Sequence, residues 1–137
     1  MRIHIGTEGT QFIKGYHSVI VKDQNIDLNA ISDNECMEIL ANDILDEFRI
    51  ENIGSVIQAL LSKLRIGGKL VLGGTDILLF CKAVQDGSLS EAEYSNIIAS
   101  KQSMTQAPLV LETLRGMGLN VEIYDINGIH FEVAVRR

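Results

Sequence analysis

The sequence predicts a single α/β domain over residues 1–137, with a doubly wound, mostly parallel sheet in three layers and a C-terminal antiparallel hairpin. Short β-branched segments alternate with longer segments of helical periodicity, which is typical of a parallel sheet covered by helices. Asn127-Gly128 lies between two strand-like segments and predicts a tight hairpin turn. The chain has 137 residues, 46% of them hydrophobic and 22% charged, which suffices for one core.

The composition and charge exclude several classes of protein. The net charge of −6 argues against a general affinity for nucleic acid, because phosphate contacts need clustered Lys and Arg. No apolar stretch is long enough to span a bilayer, and the N-terminal segment lacks the apolar region of a signal peptide. Cys36 and Cys81 match no metal-ligand spacing, so we expect two buried thiols in a reducing compartment. The expectation is a cytoplasmic protein with no metal site and no membrane partner.

Four strands are predicted in the first third of the chain, at residues 2–5, 16–21, 25–28 and 36–41. They are short segments that contain Ile, Val or Leu, and turn residues such as Gly, Asn and Asp separate them. The first strand ends in the loop Gly6-Thr7-Glu8-Gly9, where glycine permits a tight backbone bend. This loop is open to two interpretations: a ligand-binding turn or a plain connection from a strand to a helix.

Helices and strands alternate in the rest of the chain. Asn52 is the expected cap of a helix that runs to Gly67-Gly68, a strand follows at 69–72, and residues 76–84 are helical in pattern. Ser90 with Glu93 has the form of a capping box, and residues 103–106 repeat that form before the last helix. Strands at 121–124 and 129–135 close the domain. The helix-rich stretch 76–116 is expected beyond the carboxyl ends of the strands, where ligands bind in such folds.

Four segments, in this order, resemble the class I S-adenosylmethionine-dependent methyltransferases over nearly the whole chain. Residues 39–48, ILANDILDEF, are similar to a family segment in which an apolar strand leads to a polar residue, a His, two aliphatics and an acid-His-Phe ending. Residues 64–72, LRIGGKLVL, resemble the family turn of leucine, basic residue, proline and double glycine. Residues 3–6 and 15–19 resemble its first strand and the glycine-aromatic entry to its second. The implied architecture is the Rossmann-like methyltransferase fold.

The resemblance implies a site for S-adenosylmethionine at the carboxyl ends of the strands. The residues that it assigns to cofactor binding are Gly6, Thr7, Glu8, Gly9, Asp27, Leu28 and Asn42. Asp43 and Glu47 stand where the family has histidines, and they are the candidate catalytic residues as a general base pair. Two of these assignments have plainer alternatives. Asp27 also suits a turn, and acids in the first turn of a helix are favoured by the helix dipole.

Two departures from the family pattern point to a degenerate cofactor site. Glu8 either replaces the second glycine of the first loop or marks an insertion, and its side chain would occupy space that the cofactor needs. Ile20 falls where the family has the acid that binds the ribose hydroxyls, and it cannot accept a hydrogen bond; Asp23 is the candidate substitute.

Two functions follow as expectations. The first is a methyltransferase acting on a small molecule or sugar-like acceptor. The alternative is a catalytically inactive methyltransferase-like module with a binding or structural role, in which an exposed sheet edge or helix face serves a homodimer. A different nucleotide-binding doubly wound domain is a third interpretation, which the single glycine loop is too weak to favour.

Overall fold

The structure, a computed structural model, describes all 137 residues. Its seven strands are β1 (Arg2–Gly6), β2 (His17–Lys22), β3 (Asn25–Ile26), β4 (Cys36–Ala41), β5 (Leu64–Thr75), β6 (Asn120–Asn127) and β7 (His130–Arg136). Its four α-helices are α1 (Ile53–Lys63), α2 (Ile77–Gln85), α3 (Glu91–Ser100) and α4 (Ala107–Gly116). Two short 3₁₀ turns, Leu45–Glu47 and Ile50–Asn52, lead from β4 to α1.

The strands form one mixed sheet in the order β3-β2-β1-β4-β5-β7-β6. The three central pairs, β2 with β1, β1 with β4 and β4 with β5, are parallel. The other three pairs are antiparallel, because β3 folds back on β2 and the β6–β7 hairpin inserts β7 beside β5. The α/β class and the closing hairpin are confirmed, whereas the expectation of a mostly parallel sheet is corrected to a mixed one.

The core lies against one face of the sheet. Alternate residues of neighbouring strands, such as Ile3, Ile39 and Leu70, are in register and fully buried on this face. Helices α1 and α4 contribute Ile57 and Leu114 to the same cluster of buried side chains. Side chains on the opposite face do not join that cluster, so the three-layer arrangement is not confirmed.

The connection from β1 to β2 contains no helix, contrary to the strand-to-helix interpretation of the first glycine loop. Residues 7–16 instead fold over the face opposite the core. The Phe12 ring packs edge-on against His4 on β1, with ring centroids 5.2 Å apart. The Tyr16 hydroxyl donates a 2.6 Å hydrogen bond to the Glu38 carboxylate on β4, which fixes the end of the connection.

Helix ends follow the expected chemistry at some sites and depart from it at others. Ser90 and Glu93 form both bonds of the capping box that opens α3. Asn52 precedes α1 but its side chain makes no cap, and α1 ends at Lys63 rather than at the double glycine. The double glycine lies inside β5, where Gly67 has φ +79°. A strand replaces the predicted end of the helix because Arg137 supplies backbone bonds to both glycines.

Two observations concern the cysteines and the helices as a set. Both cysteines are free; Cys36 is buried as expected, whereas Cys81 on α2 is exposed, which corrects the prediction of two buried thiols. The longest α-helix has eleven residues, and none of the four has the length and apolar character to cross a membrane.

Candidate functional site

A cavity of about 680 Å³ opens at the carboxyl ends of β1 and β4 and beside the turn of the β6–β7 hairpin. In the sheet, β4 is next to β1, and β5 alone separates β4 from the hairpin. The ends of these strands therefore lie near one another. The cavity lies within the size range of small-molecule sites. Its lining residues are His4, Ile5, Gly6, Thr7, Thr10, Asn42, Asp43, Ile44, Glu47, Lys101, Asp125, Asn127, His130, Phe131 and Glu132.

The lining is polar and rich in acids. Four of the fifteen lining residues carry carboxylates, namely Asp43, Glu47, Asp125 and Glu132, whereas Lys101 is the single lysine and no arginine is present. Asp125 and Glu132 stand directly opposite each other on β6 and β7. Like charges in that position cost stability, of the order of 0.2–1 kcal/mol. This electrostatic balance suits a ligand that carries positive charge.

The first loop closes on itself in a tight turn. The backbone N–H of Thr10 donates to the Thr7 carbonyl at 3.0 Å, and the Thr7 N–H donates to the Thr10 hydroxyl at 2.9 Å. A Cβ on Gly6 would lie 2.6 Å from the Thr10 side chain, and Gly9 has φ +91°. Glycine is therefore required at residue 6 for packing and is favoured at residue 9 for backbone conformation.

Asn42 joins the end of β4 to the hairpin. A Cβ on Gly73 would overlap the backbone carbonyl oxygen of Asn42, so only glycine in β5 permits this close approach. The Asn42 amide nitrogen then donates a 2.7 Å hydrogen bond to the Glu132 carboxylate. Two walls of the cavity, separated by 90 residues in sequence, are held together by this bond.

Asp46 anchors the floor of the site although it does not line the cavity. Its side chain is 1% exposed, and its carboxylate accepts hydrogen bonds from the Thr75 N–H at 2.8 Å and the Thr75 hydroxyl at 2.7 Å. The Lys101 ammonium lies 3.2 Å from the same carboxylate. The segment after α3 is thereby fixed beside β4.

Glu47 is a lining acid with a raised pKa. Burial raises the pKa of the Glu47 carboxyl; the positive charge of Lys101 opposes that rise, and the negative charge of Asp46 adds to it. A carboxylate with a raised pKa accepts a proton more readily than an ordinary glutamate. The general-base role of Glu47 stays a prediction.

The structure brings five of the nine residues named from sequence to this cavity: Gly6, Thr7, Asn42, Asp43 and Glu47. Glu8 and Gly9 are exposed in the adjacent turn, outside the lining. Asp27 and Leu28 are also outside it; the Asp27 carboxylate accepts from the Asn29 N–H in a local turn, and Leu28 is a core residue. Ile20 is in register with Gly6 on the neighbouring strand and is half-exposed.

Sequence reasoning missed the contribution of the hairpin. Asp125, His130 and Glu132 line the cavity, as does Lys101. The alternation along β7 did indicate that His130 and Glu132 share the face opposite Phe131, Val133 and Val135. This alternation predicted which residues share a face of β7, but it did not predict which other segments that face would contact.

No protein-family model matches the chain, and no curated protein matches it in sequence. Solved structures match its fold at probability 1.00. A SAM dependent methyltransferase from Archaeoglobus fulgidus is 8% identical, with a TM-score of 0.59 over 90% of this chain and 68% of that chain. An O-methyltransferase family protein from Burkholderia thailandensis is 18% identical, with a TM-score of 0.59 over 81% of this chain and 33% of its own. A protein from Pyrococcus horikoshii is 10% identical, with a TM-score of 0.63 over 89% of this chain and 59% of that chain. The chain thus spans under two thirds of the latter two.

Proposed function

Because the chain has the class I S-adenosylmethionine-dependent methyltransferase-like fold, we propose that it binds S-adenosylmethionine and methylates a small molecule or sugar-like acceptor. The observation that carries this proposal is the acidic cavity of about 680 Å³ at the carboxyl ends of β1 and β4. Its position is where ligands bind in open α/β sheets.

The residues present fit the cofactor in volume, polarity and charge. The cavity is roomy enough for a nucleoside with an amino-acid side arm, since small-molecule sites span about 300–1,000 Å³. The cofactor carries a sulfonium and an ammonium group, and the carboxylates of Asp43, Glu47, Asp125 and Glu132 would stabilise both positive charges. Gly6 and Thr7 would hold it through backbone and hydroxyl groups, and Asn42 through its amide oxygen.

The poorest part of the fit is the ribose. Ile20 is in register with Gly6, where the family resemblance places an acid, and an isoleucine cannot accept a hydrogen bond from a hydroxyl group. Asp23 lies beyond it in the β2–β3 turn with φ +50°. Glu8, Gly9, Asp27 and Leu28 lie outside the cavity lining, so their cofactor roles remain predictions. We therefore propose a degenerate site with weak cofactor affinity.

When bound, S-adenosylmethionine supplies a methyl group on a cationic sulfur, which becomes a neutral thioether as the acceptor oxygen gains the methyl and loses a proton. Glu47 would accept that proton at its carboxylate, because burial gives this group a raised pKa. Asp43 would orient the acceptor hydroxyl and keep the local potential negative. Lys101 holds the Glu47 side of the cavity in place through its ion pair with Asp46.

The test is thermal unfolding of the full chain with S-adenosylmethionine and S-adenosylhomocysteine. Ligand at one hundred times its dissociation constant would raise the free energy of unfolding by about 2.7 kcal/mol. Glu47→Gln should keep this response and lose methyl transfer, and Glu51→Gln, an exposed residue outside the cavity, is the matched control. Absence of any shift at millimolar ligand would refute cofactor binding.

Ile20 favours a second candidate function: an inactive methyltransferase-like module that has lost the cofactor and associates with itself. Ile20 is 49% exposed on the face of the sheet opposite the core, as is Ile123 at 45%. Sedimentation of the chain as a dimer, together with no thermal response to either cofactor form, would select this alternative. For either function we propose a cytoplasmic location, in keeping with free thiols.

A further inference from the structure

A second, smaller cavity of about 300 Å³ lies between α3 and the ends of β5 and β7. Its lining consists of Thr75, Asn96, Ile97, Ser100, Lys101, Ile129 and His130. Lys101 and His130 also line the larger cavity, so the two cavities share a wall. A molecule in the smaller cavity would therefore be adjacent to the contents of the larger one.

The two cavities differ in charge. The larger one contains four carboxylates, and the smaller one contains none. Asn96 offers an amide with donors and an acceptor, and Ser100 keeps its oxygen lone pairs because its hydroxyl donates to the Ile97 carbonyl. Ile97 and Ile129 are the two hydrophobic residues of the lining, and more of its accessible surface is apolar than polar. This lining suits a molecule that combines an apolar face with hydroxyl groups, as a sugar ring does.

Helix α3 has no role in the core that would explain its position. None of its residues is buried, yet its N-terminus has a complete capping box. The segment after it is fixed by the Lys101–Asp46 ion pair and by the Gln102 N–H, which donates to the Asp46 carbonyl at 2.8 Å. The chain thus fixes in place a helix on which the half-buried Ile97 and the exposed Asn96 and Ser100 form one wall of the small, open cavity.

We propose that the smaller cavity is the acceptor site and that it takes a small polyhydroxylated molecule of the monosaccharide class. Asn96, Ser100 and His130 would hydrogen-bond the hydroxyl groups that stay in this cavity, and Ile97 would contact the face of the ring. The reacting hydroxyl would extend past Lys101 and His130 into the larger cavity, towards Asp43 and Glu47. This assignment rests on the proposed methyltransferase function and adds to it the acceptor class and the residues that select it.

The test is a titration of the isotope-labelled full chain with a panel of common hexoses, pentoses and inositols, followed by amide chemical shifts. Shifts concentrated at residues 96–101 and 129–130 are expected. Ser100→Phe, which fills the cavity, should weaken this binding by about tenfold or more, the value of a lost hydrogen bond and apolar contact. Ser95→Phe, an exposed position on α3 outside the lining, should leave it unchanged.

No shifts with any member of the panel, or shifts that survive Ser100→Phe, would overturn the acceptor assignment. A thermal response to S-adenosylhomocysteine is measured on the same samples. If that response is present while the sugar shifts are absent, the acceptor site fails and the proposed function stands. If the sugar shifts are present without it, the proposed function fails and the sugar site stands.

Discussion

Replacing Asp46 by alanine should destabilise the whole site, because this carboxylate joins three elements. Its side chain is 1% exposed, and it accepts two hydrogen bonds from Thr75 and one ion pair from Lys101. A hydrogen bond to a charged group contributes about 1.5–3 kcal/mol, and breaking a buried ion pair costs about 3–5 kcal/mol. Lys101 is 21% exposed and can turn towards solvent, so we expect a loss near the lower bound, about 3 kcal/mol.

Urea unfolding and calorimetry of Asp46→Ala would measure this loss directly. For a chain of this length, 3 kcal/mol corresponds to a fall in Tm of about 10 °C. Asp46→Asn keeps one acceptor and should lose about half as much. Glu51→Ala removes an ion pair with Arg49 in which both side chains are about two-thirds exposed, so it should change stability by less than about 0.5 kcal/mol. A loss below about 1 kcal/mol for Asp46→Ala would refute the anchoring role.

Three further predictions follow from particular side chains. Gly73→Ala forces a Cβ against the backbone of Asn42 and Phe131 and should cost about 1–3 kcal/mol in denaturant unfolding. Gly54→Ala, with open space around it in α1, should gain about 0.5–1 kcal/mol, and equal effects of the two substitutions would contradict the packing argument. Burial raises the pKa of Glu47. The protonated carboxyl of Glu47 therefore contributes to stability below pH 4.5, the ordinary pKa of a glutamate, and this contribution is lost as pH rises through the folded-state pKa. Glu47→Gln should therefore be more stable than the parent chain at pH 7 but not at pH 4. The same difference in unfolding free energy at both pH values would contradict this linkage. The hydrogen bond to Glu38 raises the pKa of Tyr16, and its stabilising contribution should disappear as pH rises above 10; Tyr16→Phe should flatten that dependence in unfolding titrations.

The local sequence predicted the elements well where short-range chemistry decides them. The strands at β1, β2, β4 and β7 and the capping box of α3 agree with the predicted positions to within one or two residues. The family resemblance is confirmed at the level of the fold. Predictions failed where distant segments intervene: Gly67-Gly68 has the form of a helix stop, but it lies in β5 because Arg137 binds its backbone. No signal within ten residues of the double glycine could have indicated that partner.

The sequence predicted one part of the candidate site and missed the other. Gly6, Thr7, Asn42, Asp43 and Glu47 follow strands β1 and β4, and the carboxyl ends of adjacent parallel strands meet at one edge of a sheet. Asp125, His130 and Glu132 were missed because their place depends on how the hairpin inserts beside β5. Lys101 reaches the site through its ion pair with Asp46, which is 55 residues away in sequence. The bond from Asn42 to Glu132 illustrates the difference, since it joins residues 90 positions apart.

The sequence by itself determined the α/β class, most of the strands, the capping box of α3 and the apolar face of each strand, because periodicity and local hydrogen bonding act over a few residues. Tertiary structure alone decided which acids share a cavity, that the sheet is mixed, and that Asp46 ties the segment after α3 to β4. Those features arise from strand order and close backbone packing, such as the contact of Gly73 with Asn42, and these depend on the whole chain having folded.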